Sequence, residues 1–246
     1  MTRVLVIGHS HIVALQEAHA DDEDGLRVRR PDLEFDFIRL LRIVPGEEFP
    51  RLDIDEQTLS EIAARPYDLI VAAMGGNGHN VFGLASHPVP FDFVLPEFPE
   101  LPLEPAADHL PVALVRSCVR RPSENAFTAL KVLRAGVSAP VVQIESPPPI
   151  PSEDYIRAHP GNYRGPIERT GVSPAVLRYK LWRLNSSLFQ GFCSQAGIEF
   201  LPAPIESQDP QGMLVEIAWN EDPAHGNSWY GARVLRQLAM RFPAPN

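Results

Sequence analysis

Continuous apolar runs ended by glycine, proline or a polar turn recur along the chain at residues 3–7, 35–43, 68–73 and 140–144, with a weaker run at 198–201. Runs this short predict buried strands. Between them, helical patterning predicts helices over residues 12–20, 55–64, 123–135, 174–196 and 230–242. Strand alternating with helix implies parallel strands joined by crossovers, hence an α/β protein with a helix-flanked parallel sheet. Local signals agree. Ser123 is placed to cap a helix with Glu124 in its first turn, and Ser173 offers a capping hydroxyl just before Pro174 at a first helical position. In the helix that follows, Val176, Leu177, Leu181, Leu184, Leu188 and Phe192 recur at three- to four-residue spacing and predict one buried face.

Composition then narrows the class. At 246 residues and 44% hydrophobic, the chain is long enough for one large core, so a single domain over residues 1–246 is expected. The 26 prolines concentrate in two segments, 87–111 and 147–166, which read as long loops. Loops of that length in a compact domain commonly act as lids or binding walls. Phe91, Phe93 and Phe98 make the first too apolar for a linker, so it is expected to pack as a wall of the substrate site. The net charge of −9 is spread along the chain and no basic stripe is interleaved with aromatics, which argues against a nucleic-acid partner. Cys118 and Cys193 are too few for a disulfide framework or a zinc ribbon and fit a reducing compartment. The apolar stretch Val4-Leu5-Val6-Ile7 is too short for a signal-peptide core, and no run approaches the roughly 20 residues that span a bilayer. A soluble, cytoplasmic protein without a membrane partner is expected; the oligomeric state stays open.

Three short motifs carry candidate chemistry. Gly8-His9-Ser10-His11 follows the first strand and precedes a helix, where a serine hydroxyl projects from the C-terminal sheet edge beside unpaired helix N–H groups. The alternative is that Ser10 only caps the helix. Met74-Gly75-Gly76-Asn77-Gly78-His79-Asn80 ends another buried strand, at the edge where open α/β sheets bind ligands. The Asn77 amide can donate to an oxyanion there, or serve as a turn residue. Asp222-Pro223-Ala224-His225 puts a carboxylate three residues before a histidine, close enough to hold the imidazole Nδ1–H and leave Nε2 as a base; an ordinary surface turn reads the same way.

Taken in this order, Gly8-x-Ser10, Gly75-x-Asn77 and Asp222-x-x-His225 resemble the first, third and fifth sequence blocks of the SGNH superfamily of serine hydrolases, the GDSL-type esterases. The resemblance spans nearly the whole chain, and its Asp-x-x-His block before a terminal helix is the most specific part. It implies a flavodoxin-like three-layer α/β/α sandwich and an acyl-transferring site. Ser10 would be nucleophile, His225 general base and then acid, and Asp222 the orienting carboxylate. Asn77, the Ser10 N–H and the N–H of Gly46 would make the oxyanion hole, while His11, His79 and Asn80 would lie along the substrate-binding edge. No cofactor or metal is implied. The chain departs from the family at His9 and Gly78, where aspartates are usual.

The resemblance therefore implies an esterase for a small ester or an O-acylated carbohydrate. Three rivals remain. An O-acyltransferase would use the same acyl-serine, a metallohydrolase would assemble His9, His11, His79, Asp222 and His225 around a metal, and a binding module would keep the fold without catalysis.

Overall fold

In the computed structural model, residues 1–22, 25–40 and 54–243 are described. In chain order the elements are β1 (Thr2–Gly8), α1 (Ile12–Asp21), α2 (Leu26–Arg29), β2 (Leu33–Arg39), α3 (Glu56–Ala63), β3 (Leu69–Ala73), α4 (Gly78–Gly83), β4 (Phe91–Asp92), β5 (Asp108–His109) and α5 (Val112–Arg120). They continue with α6 (Glu124–Gly136), β6 (Val141–Ile144), α7 (Glu153–Ala158), α8 (Arg164–Thr170), α9 (Ala175–Ala196), β7 (Glu199–Leu201) and α10 (Ser228–Ala239). No helix among the described residues is long and apolar enough to cross a membrane.

Five strands form one parallel sheet in the order β2-β1-β3-β6-β7. Both of its faces are covered, which is why the central strands β1 and β3 read as unbroken apolar runs, whereas the edge strand β2 alternates with charged residues. Side chains alternate between the two covers. Val4, Val6, Leu69 and Val71 join a core with α1 and α10, whereas Leu5, Ile7, Ile70 and Ala72 join a second core with α6 and α9. The chain leaves β1 for β2 on one side and returns to β3 on the other, so the loops after β1 and β3 diverge and open a crevice at their C-terminal ends. Gly8 pairs with Ala73 in that register, which starts both loops at the same level.

On the first face, α1 and α10 touch backbone to backbone. A Cβ on Gly231 would lie 2.0 Å from the Ala14 carbonyl oxygen, so only glycine permits this approach. The contact brings together the loop entering α1, which carries Ser10, and the loop entering α10, which carries His225.

Residues 41–43 of the second expected strand lie outside the described residues. Elsewhere the strand and helix expectations hold in outline, with four differences. Ser123 does not cap α6; its hydroxyl donates to the Val119 carbonyl oxygen at 3.3 Å. Pro174 rather than Ser173 sits at the cap of α9, because the buried Ser173 is taken up by backbone bonds, its N–H to Leu84 and its carbonyl accepting from Arg178. Val176 is exposed, while Leu177, Leu181, Leu184 and Leu188 are buried as expected.

The fourth difference concerns the proline-rich segments. Phe91, Phe93 and Leu95 are buried in the second core with Leu181 and Leu184 of α9, in the layer opposite α1, so the 87–111 segment does not wall the Ser10 loop. Its anchor is electrostatic. Lys180 Nζ, fully buried, donates to both oxygens of Asp92 at 2.8 and 3.0 Å and to the Pro102 carbonyl at 2.8 Å. The second segment is the one that reaches the candidate site. Arg178 ties it to α9 by donating to the Ile150 and Pro151 carbonyls, and burial lowers the guanidinium to about 10. Gly161 then packs on the loop that holds Asp222, where a Cβ would stand 3.3 Å from Asp222 Cβ.

Candidate active site

Ser10 lies in the turn between β1 and α1. The cap position of α1 belongs to His11, with no side-chain capping bond, so Ser10 is not a helix cap. Its hydroxyl instead faces His225, with Oγ 2.7 Å from Nε2. On the other side of the ring, Nδ1 is 2.8 Å from Asp222 Oδ1. An ionised carboxylate only accepts, so Nδ1 carries the proton and Nε2 is the acceptor for the Ser10 hydroxyl.

The loop before α10 has a reason to hold this shape. Asn227 caps α10 by accepting from the Tyr230 N–H at 3.2 Å, and its amide donates to the carbonyls of Ile217 and Trp219 at 2.8 and 3.0 Å. Asp222 in turn accepts from the Ala224 N–H at 2.8 Å and from the Asn220 amide at 2.9 Å. Burial pushes the Asp222 carboxyl up, but the hydrogen bond and charge of His225, with the Ala224 and Asn220 donors, outweigh it and hold the group below its ordinary 3.8.

Asn77 enters α4 from the loop after β3, half-buried. Gly76 before it has φ of +95°, and a Cβ there would sit 2.8 Å from Ser146 Cβ, so this turn requires glycine. Asn185 of α9 donates to the Gly76 carbonyl at 3.1 Å and Gln143 of β6 to the Met74 carbonyl at 3.1 Å, fixing the loop from behind. The Asn77 side-chain oxygen accepts a long bond from Asn80 at 3.4 Å, which leaves its Nδ2 as a donor with no acceptor among the described residues.

His11, His79 and Asn80, the residues expected at the substrate-binding edge, are all buried. The His11 ring lies against His225, with centroids 4.9 Å apart. Burial, with the neighbouring imidazoles of His225, His79 and His9, holds His11 well below its ordinary 6.5. Burial pushes His79 down to about 3, and burial with Arg39 and His225 lowers His9. These rings are therefore neutral near pH 7. Gly46 lies outside the described residues.

Residue patterning alone missed Asn220, Gln143 and Asn185, which orient the loops rather than face a crevice. It also missed Tyr155, whose hydroxyl donates to the Asn220 carbonyl at 2.9 Å. Asn220 carries a faint signal, standing two residues before Asp222; the others carry none, since a lone buried polar side chain reads as a solvated one.

No protein-family model matches the sequence, and no curated protein matches it significantly. Solved structures do resemble it. The periplasmic domain of a lipopolysaccharide acetyltransferase from Salmonella ser. Paratyphi A aligns with a TM-score of 0.50 at 13% identity, over 97% of this chain and 82% of its own. An extracellular lipase from Streptomyces rimosus aligns at 0.49 and 11% identity, over 98% of this chain and 100% of its own. A GDSL-like lipase from Bacteroides thetaiotaomicron aligns at 0.38 and 12% identity, over 98% and 88%. At these identities the likeness is one of fold alone. The fold is α/β, with a five-stranded parallel sheet flanked by helices, and it is shared with the acetyltransferase domain.

Proposed function

We propose that this chain is a serine acyl-transfer enzyme, an esterase or acylhydrolase acting on a small ester or an O-acylated carbohydrate. The observation that carries the reading is the continuous hydrogen-bonded chain from Ser10 through His225 to Asp222, with links of 2.7 and 2.8 Å. In this reading His225 Nε2 takes the Ser10 proton as Oγ attacks the ester carbonyl carbon. The carbonyl electron pair moves onto oxygen, where the Ser10 N–H, the Asn77 amide and the Gly46 N–H stabilise it. The carbon–oxygen bond to the leaving alcohol then breaks, and His225 returns the proton to that alcohol. Water, deprotonated by His225, resolves the acyl-serine. An acceptor hydroxyl in place of water makes the same site an O-acyltransferase.

Asp222 orients the ring and stabilises the imidazolium formed on the way. The neutral state of His9, His11 and His79 supports this step, because no second positive imidazole opposes protonation of His225. No cofactor or metal enters the reading. Engagement of both His225 nitrogens by Ser10 and Asp222 also disfavours that ring as a metal ligand.

The test is turnover of nitrophenyl esters and acetylated sugars by wild type and Ser10→Ala, with and without chelator. Turnover lost in the variant and indifferent to chelator supports the reading. Wild-type turnover by Ser10→Ala, or activity removed by chelator and restored by metal, overturns it.

A further inference from the structure

Outside the Ser10 loop, a cavity of about 210 Å³ opens between α9, the 87–111 segment and the ends of β6 and β7. A space of this size suits one small molecule. Arg183 and Gln190 of α9 line it, with Glu97 and Phe98 from the segment and Glu145 and Phe200 from the sheet edge.

The chemistry of this lining is mixed by design of its charges. Glu145 is 5% exposed and accepts from the Ala203 N–H at 2.8 Å. Burial pushes its carboxyl up, against the Ser186 hydroxyl, the Ala203 N–H and the Arg183 charge. Arg183 stacks over the rings of Phe98 and Trp182, 5.2 and 5.4 Å from their centroids, and its Nε is buried without a hydrogen-bond partner.

An anionic ligand would meet two carboxyl groups, Glu97 and Glu145, against one guanidinium. A cationic ligand would meet that guanidinium. A ligand whose groups each both donate and accept, presenting C–H faces to Phe98 and Phe200, satisfies all of them. We infer that this cavity is a second ligand site, separate from Ser10, for a neutral polyhydroxylated molecule the size of one sugar ring. The inference does not depend on catalysis at Ser10.

The test is saturation-transfer NMR on the full-length Ser10→Ala protein with glucose, galactose, mannose and N-acetylglucosamine, beside acetate and methylammonium as charged probes. The expected result is transfer to at least one sugar, in preference to both ions. Gln190→Trp, which fills the mouth from an exposed position, and Arg183→Met should each weaken that binding at least ~10-fold without changing the thermal midpoint beyond a few degrees. Transfer to none of the sugars overturns the inference, as does tighter binding of either ion. Sugar binding that survives Gln190→Trp overturns it too, because the ligand then sits elsewhere.

Discussion

Ser10 Oγ and His225 Nε2 stand 2.7 Å apart although 215 residues separate them in the chain. The closeness is built by the α1–α10 contact, in which Gly231 meets the backbone of Ala14 and Leu15. Gly231→Val should therefore do two things at once. Overpacking against backbone that cannot turn aside should cost about 1–3 kcal/mol, and the helix shift should lengthen the Ser10–His225 contact. Urea unfolding and esterase turnover check both; unchanged values for each would contradict this account of how the site is assembled.

Asn77→Ala removes the side-chain donor after β3. If Asn77 serves the oxyanion, kcat should fall on the order of 10²–10³-fold with little change in KM. Steady-state kinetics decide the matter, since a loss confined to KM would assign Asn77 to substrate contact instead.

Lys180 and Asp92 form a fully buried pair on the far layer. Lys180→Met leaves Asp92 with its backbone donors from Phe93 and Glu104 but without a counter-charge. Breaking one partner of such a pair costs about 3–5 kcal/mol, read as a lower urea midpoint. A loss near zero would mean that the 87–111 segment is held by its phenylalanines alone.

The buried imidazoles make stability depend on pH. His79 is held at about 3 in the folded chain against 6.5 as its ordinary value. Between those values the unfolded chain binds a proton at this ring and the folded chain does not, so stability rises with pH across the window and falls as the solution is acidified below 6.5. Each such ring contributes a slope of about 1.4 kcal/mol per pH unit. His79→Phe should reduce the measured slope between pH 6 and 4 by about one proton. An unchanged slope would show that His79 titrates alike in both states. Asp222, held below 3.8, acts at lower pH: its contribution is present above that value and is lost as pH falls through the depressed one.

The sheet was readable because β1, β3 and β6 are buried on both faces and, apart from Gln143 in β6, their runs are apolar. The three motifs were readable because each sits at a strand end or before a helix. The wall of the site was not. Arg178 and Lys180 occupy positions on α9 that helical patterning assigns to water, yet both are buried beneath the proline-rich segments, each holding one of them by its charge. Periodicity reports which face of a helix meets the sheet and carries no signal for a loop that folds back over the other face. For the same reason the sequence directed attention to 87–111, the more apolar segment, while 147–166 is the one that packs on Asp222. The burial of His79 carries no signal in the sequence, since a histidine beside a glycine-rich loop reads equally as solvated or as structural.

The central claim is that Ser10 is a nucleophile activated by His225. The most direct measurement is mass spectrometry of the protein treated with a fluorophosphonate, comparing wild type, Ser10→Ala and His225→Ala. The account predicts one stoichiometric adduct on the peptide containing Ser10 in wild type, none in Ser10→Ala, and labelling slowed at least ~10²-fold in His225→Ala. Wild-type protein that is folded and unlabelled, or labelled at a residue other than Ser10, would contradict it.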